Sequence, residues 1–186
     1  MEIFIKDGTK LVVQDGATVF DVAKQISEGL ARNAIAGRIN GKMCQLSSPV
    51  KAGDCVEIVT LKNKEGMEVM RHSTAHIMAL AVKRLYPNAK ISIGPAIENG
   101  FYYDFDFENP VGQDDLPKIE EEMDKIIKSK ISFERIEVTR SEAEKIFSDL
   151  NEPYKLEILQ GIPEDEILTI YKLGELVDLC RGPHLE

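Results

Sequence analysis

The sequence predicts an α+β protein in two parts, a small unit over residues 1–62 and a larger one over residues 63–186. Residues 1–62 carry short period-two runs around a single helical stripe. A polar hinge, Leu61-Lys62-Asn63-Lys64-Glu65-Gly66, follows them. Beyond it, helical and strand patterns mix without internal repeat or low-complexity tract.

In the first part, Glu2-Ile3-Phe4-Ile5-Lys6 alternates as a strand, and Asp7-Gly8 signals a type I′ hairpin turn into Lys10-Leu11-Val12-Val13. Thr18 caps a helix whose stripe is Val19, Phe20, Val22, Ala23, Ile26 and Leu30. Ala34–Ile39 is a third strand ending at Asn40-Gly41, and Cys55–Val59 is the last. Two strands, a helix and further strands make a β-grasp pattern. Nothing in this part looks catalytic, since it lacks histidine and scatters its carboxylates at turns.

The second part opens on a long helix from about Glu68 to Tyr86, stopped by Pro87, with Val69, Ile77, Leu80, Ala81 and Leu85 facing inward. Lys90–Pro95 and Phe101–Phe107 read as strands joined through Asn99-Gly100, and alternation sets Tyr103 on the face opposite Tyr102 and Asp104. Leu116–Lys130 is an amphipathic helix with Ile119, Met123, Ile126 and Ile127 inward and Glu120-Glu121-Glu122 outward. Phe133–Val138 is a strand, and Ser141-Glu142-Ala143-Glu144 a capping box opening a short helix. Tyr154–Leu159 fits helix and strand equally. Ile167–Leu173 and Glu175–Leu179 form a hairpin about Gly174, which delivers Asp178 and Cys180 to one face.

Composition narrows the class. No apolar run reaches bilayer length, and the N-terminus lacks the pattern of a signal peptide. Cys44, Cys55 and Cys180 are too few and scattered for a disulfide framework, so a reducing cytoplasm fits best. The net charge of −9 is uneven: 8 Lys/Arg stand against 7 Asp/Glu in residues 1–62, and 15 against 25 in the remainder. Such acidity opposes strong sequence-independent phosphate binding, so any nucleic acid is touched over a small area.

All three histidines fall in two short segments, Arg71-His72-Ser73-Thr74-Ala75-His76 and Asp178-Leu179-Cys180-Arg181-Gly182-Pro183-His184. On a helix His72 and His76, four apart, point to one side. Cys180 and His184 could complete a four-ligand zinc set with them, or the same groups could wall a polar hydrolytic pocket without metal. Two core histidines and a structural cysteine form the bland alternative. Concentration of the whole histidine inventory beside a cysteine at matching spacing argues against it.

These segments, together with Ile93-Gly94-Pro95 and Asn99-Gly100-Phe101-Tyr102-Tyr103-Asp104, resemble the editing domain shared by bacterial-type threonyl- and alanyl-tRNA synthetases. Residues 1–62 resemble a TGS domain, the β-grasp module of threonyl-tRNA synthetases and some GTP-linked proteins. A TGS unit placed directly before such a domain is similar to the threonyl order. The resemblance implies an N-terminal fragment unable to charge tRNA, its editing domain cut short at the C-terminal end. It places ATP and a catalytic zinc in regions beyond residue 186. Leu185-Glu186, after the last motif residue His184, are read separately as a cloning remnant.

The implied activity is proofreading. Serine is threonine without a methyl group, and a missing methyl supports only about 10–200-fold discrimination by binding. A second pocket must then hydrolyse the seryl ester on the tRNA(Thr) acceptor end and exclude the threonyl ester by size. The resemblance gives Asp178 the substrate ammonium, Lys155 the ester or terminal ribose, and Tyr103 the substrate end. It gives His72 and Cys180 the attacking water, with His76 and His184 completing the wall. It implies no cofactor for editing, with zinc on His72, His76, Cys180 and His184 as the alternative. The implied partners are tRNA(Thr), serine and threonine esters and the rest of the synthetase, with no membrane. A free-standing zinc ester hydrolase and a non-catalytic RNA- or partner-binding module are the rival classes.

Overall fold

The computed structural model describes residues 1–185; Glu186, half of the expected remnant, lies outside the described residues. The chain divides into two compact units, Met1–Arg71 with the segment from Gly182, and His72–Arg181.

The first unit is built on a five-stranded sheet ordered β2-β1-β5-β3-β4: β1 Glu2–Ile5, β2 Lys10–Val12, β3 Ala34–Ile39, β4 Lys42–Cys44 and β5 Cys55–Thr60. β1 and β5 pair in parallel while the other pairs are antiparallel, which is the β-grasp arrangement. Helix α1, Val19–Ile26, buries Val19, Val22 and Ala23 and starts at Thr18, whose side chain and Asp21 form a capping box. The expected stripe breaks after Ile26. Ser27 takes an extended conformation and caps a second short helix, α2 Glu28–Asn33, leaving Phe20 and Ile26 half-exposed. Two turns differ from each other. Asn40 and Gly41 both have positive φ, as a type I′ turn needs, whereas Asp7-Gly8 is not of that type, since only Gly8 does.

Helix α3 spans Lys64–Leu85, and the division between units falls inside it, between Arg71 and His72. It begins four residues before the expected start because Asn63 Oδ1 accepts the Thr60 N–H and closes a turn directly ahead of it.

In the second unit the sheet β10-β11-β12 comprises Phe133–Val138, Leu168–Leu173 and Leu176–Leu179, all antiparallel. Alternation gives it two working faces. Leu173 and Leu176 join Ala75, Ala79, Leu80 and Val82 of α3 and Ile119 and Ile126 of α4, Leu116–Ser129. Leu168 and Ile170 join Ala143 and Phe147 of α5, Arg140–Asp149, and Leu159 of α6, Pro153–Gln160. Asp178 is in register opposite Tyr171, on the α3 side. Residues 90–107 hold only two-residue strands: β6 Lys90–Ile91 pairs β9 Phe105–Asp106, and β7 Ala96–Ile97 pairs β8 Gly100–Phe101. The hairpin turn is therefore Glu98-Asn99, with Gly100 already in the strand.

Further expectations are corrected. Leu85, expected inward, is exposed at the last position of α3. Ile127 is exposed at 54 %, because Ile119, Met123 and Ile126 complete the stripe and Ile127 lies about 100° round the helix from Ile126. Glu122 turns from the solvated face to meet Arg84, Oε1 to Nη1 3.2 Å. The capping box of α5 is Thr139 with Glu142, two residues ahead of the expected one, because β10 ends at Val138. The undecided stretch Tyr154–Leu159 is helical.

Candidate active site

One turn of α3 supplies two imidazoles. His72 and His76 stack with centroids 4.8 Å apart, as the i, i+4 spacing requires. Cys180 follows β12, fixed by its N–H to Thr169 O at 3.1 Å and by the Thr169 hydroxyl donating to its carbonyl. Its Sγ lies 2.9 Å from His72 Nε2, in direct hydrogen-bonding contact.

Behind this pair is a buried charged cluster. Lys155, two residues into the first turn of α6, and Asp178 on β12 are each 2 % exposed and form an ion pair. The Lys155 ammonium also donates to the Ser92 carbonyl and lies 3.3 Å from Tyr103 Oη. Tyr103 Oη donates to Asp178 Oδ2 at 2.5 Å, and His76 Nε2 stands 3.5 Å from the same oxygen. Alternation does what the sequence suggests: Tyr103 is 8 % exposed, its neighbour Tyr102 43 %. Tyr103, Asp178, Lys155, His72, His76 and Cys180 are thus brought together within the second unit. His184 is fully buried and belongs to the C-terminal segment grouped with the first unit.

Burial governs the protonation states. It pushes His72 below the ordinary imidazole value, Asp178 opposing and Lys155 assisting. His76 is lowered to about 4, again by burial first, so it is neutral at pH 7. Burial pushes the Asp178 carboxyl upward, but Lys155, His76 and the hydrogen bonds from Lys155 and Tyr103 outweigh it and hold it below its usual value. The Tyr103 phenol is raised by burial and by the adjacent Asp178 charge, so it acts as a donor. The result is a neutral imidazole in contact with the Cys180 sulfur, beside a charged pair.

The donor types fit zinc, and the ligand atoms of His72, His76 and Cys180 lie within 4.8 Å of one another. A tetrahedral zinc holds an imidazole nitrogen and a thiolate about 3.6 Å apart. The 2.9 Å contact of His72 and Cys180 is tighter, as suits a hydrogen-bonded pair.

Three neighbours escape sequence reasoning. Ser92 enters through its carbonyl, which leaves no trace in residue type. Gly94 lies so close to Tyr103 that a Cβ there would stand 2.1 Å from the ring. Phe133 meets the His76 ring edge-on at 6.2 Å. A glycine flanked by Ile93 and Pro95 was the only available signal.

Comparison with known proteins gives the class first. Residues 1–60 match the family model of the TGS domain. The whole chain is in turn similar to the N-terminal part of bacterial threonine–tRNA ligases. It is 50 % identical to the threonine–tRNA ligase of Acetivibrio thermocellus, with 100 % of this chain and 29 % of that protein aligned. The enzymes of Desulforamulus reducens and Clostridium tetani are 49 % and 46 % identical over the same shares. The chain therefore spans 29 % of the length of these curated relatives. Among the described residues no helix is long and apolar enough to cross a membrane.

Proposed function

We propose that this chain is the proofreading portion of a threonine–tRNA ligase, hydrolysing the ester of serine wrongly attached to tRNA(Thr). The supporting observation is the buried Lys155–Asp178 pair, bonded to Tyr103 and set beside the His72–Cys180 contact. Burying such a pair costs several kcal/mol per ion before its attraction is counted, so a core alone gives no reason to keep it.

Each group has a task suited to its state. A carboxylate offers about four acceptor directions. Lys155 pairs with Asp178, Tyr103 donates to it and His76 stands 3.5 Å away, and the carboxylate's remaining acceptor capacity is offered to the substrate ammonium. Lys155 supplies positive charge where the ester oxygen becomes an oxyanion. Neutral His72, with Cys180, holds the attacking water, receives its proton as the new C–O bond forms, and returns that proton to the departing ribose oxygen as the ester bond breaks. His76 keeps its place in the wall through Asp178 and Phe133. Tyr103, fixed against Gly94, shapes the end that must accept serine and exclude the threonine methyl. If zinc binds, His72, His76 and Cys180 would hold it, and it would supply Lewis acidity to the same water.

In this reading the rest of the synthetase brings ATP-dependent charging and most of the tRNA contact, in the cytoplasm. The domains are a TGS unit over residues 1–62 and an editing unit from 63 onward. The test is hydrolysis of seryl- and threonyl-tRNA(Thr) side by side at fixed salt, with metal analysis of the protein. Seryl ester should be strongly preferred, and His72→Ala should lower turnover by about 10²–10⁴-fold with smaller change in binding. Equal cleavage of both esters, or full activity of His72→Ala, would end the assignment.

A further inference from the structure

We propose that Glu152, held by Lys83, is a positioning residue that sets Lys155 and the 91–93 strap in the geometry the site needs. The inference rests on the proofreading reading only for what the site does. The positioning itself stands on contacts around the cluster.

Glu152 is 2 % exposed and its carboxylate spans two elements. Oε1 accepts from Lys83 Nζ at 2.7 Å, and Oε2 accepts from the Ile91 backbone N–H at 3.0 Å. Lys83 Nζ also donates to Ala89 O at 2.9 Å, so the ammonium is shared between the loop and the carboxylate. Glu152 is also the residue just before α6, and its carbonyl accepts from the Lys155 N–H at 3.2 Å. One residue therefore fixes both the start of the helix carrying Lys155 and the strand that Lys155 must reach.

Its reach is one residue short of the site. Ile91 receives the Glu152 carboxylate, and the next carbonyl, Ser92 O, receives the Lys155 ammonium. On its other side the same strap is tied to Tyr103's neighbour, with Ser92 N to Asp104 O at 3.0 Å and Asp104 N to Ile93 O at 2.9 Å. Residues 91–93 are thus pinned at consecutive backbone groups, between α6 on one edge and the segment bearing Tyr103 on the other. Displacing the Ile91 end changes the position of the carbonyl that orients Lys155, and with it the ammonium's approach to Asp178 and Tyr103. Lys155, Tyr103 and Asp178 touch substrate in the proposed reaction; Glu152 acts only through them.

The test compares Glu152→Gln, Glu152→Ala and Lys83→Met in the intact chain. The readouts are the Lys155 side-chain ammonium resonance, the Ile91 and Ser92 amide resonances, the urea midpoint, and kcat and KM on seryl-tRNA(Thr). Glu152→Ala should move the Lys155, Ile91 and Ser92 signals and lower kcat by about 10–100-fold, with a smaller change in KM. Glu152→Gln keeps an acceptor for Ile91 and should recover most of that loss. Lys83→Met should fall between the two, and these two variants decide the matter if Glu152→Ala does not fold. A folded variant with an unmoved Lys155 signal, or a Gln variant as impaired as Ala, overturns the proposal. A parent that ignores seryl ester while the Lys155 signal still shifts refutes the proofreading reading and leaves the positioning intact.

Discussion

The two units use charge in opposite ways. In the first, ion pairs lie outside the apolar core of Ile3, Val19, Val22 and Val56: Lys10 with Glu2 at 3.0 Å and Lys6 with Glu57 at 2.5 Å, both lysines well exposed. In the second, Asp178, Lys155, His76, Glu152 and Tyr103 are sealed in among apolar side chains. Exposed pairs contribute little and can be lost cheaply. Buried ones are unforgiving, since removing one partner strands the other away from water. Apart from Gln45 and the C-terminal segment's His184, the first unit reads as a scaffold stabilised by its core, and the second as a fold that retains polar groups its core would not choose.

The sharpest way to break this contrast is to remove one carboxylate from each unit. Asp178→Ala leaves the Lys155 ammonium buried without a counter-charge and should cost the second unit about 3–5 kcal/mol. Glu2→Ala should cost the first under about 1 kcal/mol. The chain offers separate probes. It has no tryptophan, and all five tyrosines lie between residues 86 and 171. Tyrosine fluorescence in urea therefore follows the second unit alone, while amide exchange in β1–β5 follows the first. Similar losses in the two units would mean that the buried pair is no more demanding than a surface one.

Acid should separate the units next. Unfolded His76 takes up a proton near 6.5, but in the fold it refuses one until about 4. Folded chain thus binds fewer protons than unfolded chain across that window, and stability falls as pH falls through it, by about 3 kcal/mol in all. His72, lowered by the same burial, adds in the same direction. Asp178, held below its usual value, contributes stability above pH 3.8 that is lost at lower pH. Residues 1–71 contain no histidine, and His184 joins that unit only through the C-terminal segment. Asp21 and Glu57, with lowered values, keep their contributions until the carboxylate range is reached. Between pH 6.5 and 4.5 the tyrosine transition should move to lower urea while exchange in β1–β5 holds steady. A tyrosine midpoint that stays flat over that range would place a charged, solvated imidazole at position 76.

The same contrast explains what the sequence made legible. The β-grasp unit is read easily because alternation, Asn40-Gly41 and the Thr18 cap are local signals that agree with its tertiary structure. In the second unit, His72 with His76 and Tyr103 against Tyr102 follow from helix and strand periods alone. Lys155 does not. Tyr154-Lys155-Leu156-Glu157-Ile158-Leu159 fits either period, so nothing local says that Lys155 is buried. The resemblance, rather than any pattern, singled it out. Ser92 and Glu152 were beyond reach for another reason: one acts through a backbone carbonyl, and the other is a glutamate among many. The capping box of α5 failed on a tie, since Thr139–Glu142 and Ser141–Glu144 spell the same motif. The end of β10 at Val138, paired with Leu168, decides between them.

The smallest expected effect tests whether the units are independent, as the polar run Leu61–Gly66 suggested from sequence, although its last three residues form the first turn of α3. Each unit carries one matching device. Thr18 Oγ1 accepts from Asp21 N at 3.2 Å while Asp21 Oδ2 accepts from Thr18 N at 2.8 Å. Thr139 Oγ1 accepts from Glu142 N at 3.3 Å while Glu142 Oε2 accepts from Thr139 N at 2.7 Å. Neither threonine belongs to the candidate site, and each alanine replacement should cost about 1 kcal/mol. If the units unfold separately, Thr139→Ala shifts the tyrosine midpoint and leaves exchange in β1–β5 unchanged, while Thr18→Ala does the reverse. Seryl ester hydrolysis in native buffer should survive both, since about 1 kcal/mol leaves a folded majority in a domain of ordinary stability. A tyrosine midpoint that moves equally for both variants would make the chain one cooperative unit, with α3 carrying stability across the division at Arg71 and His72.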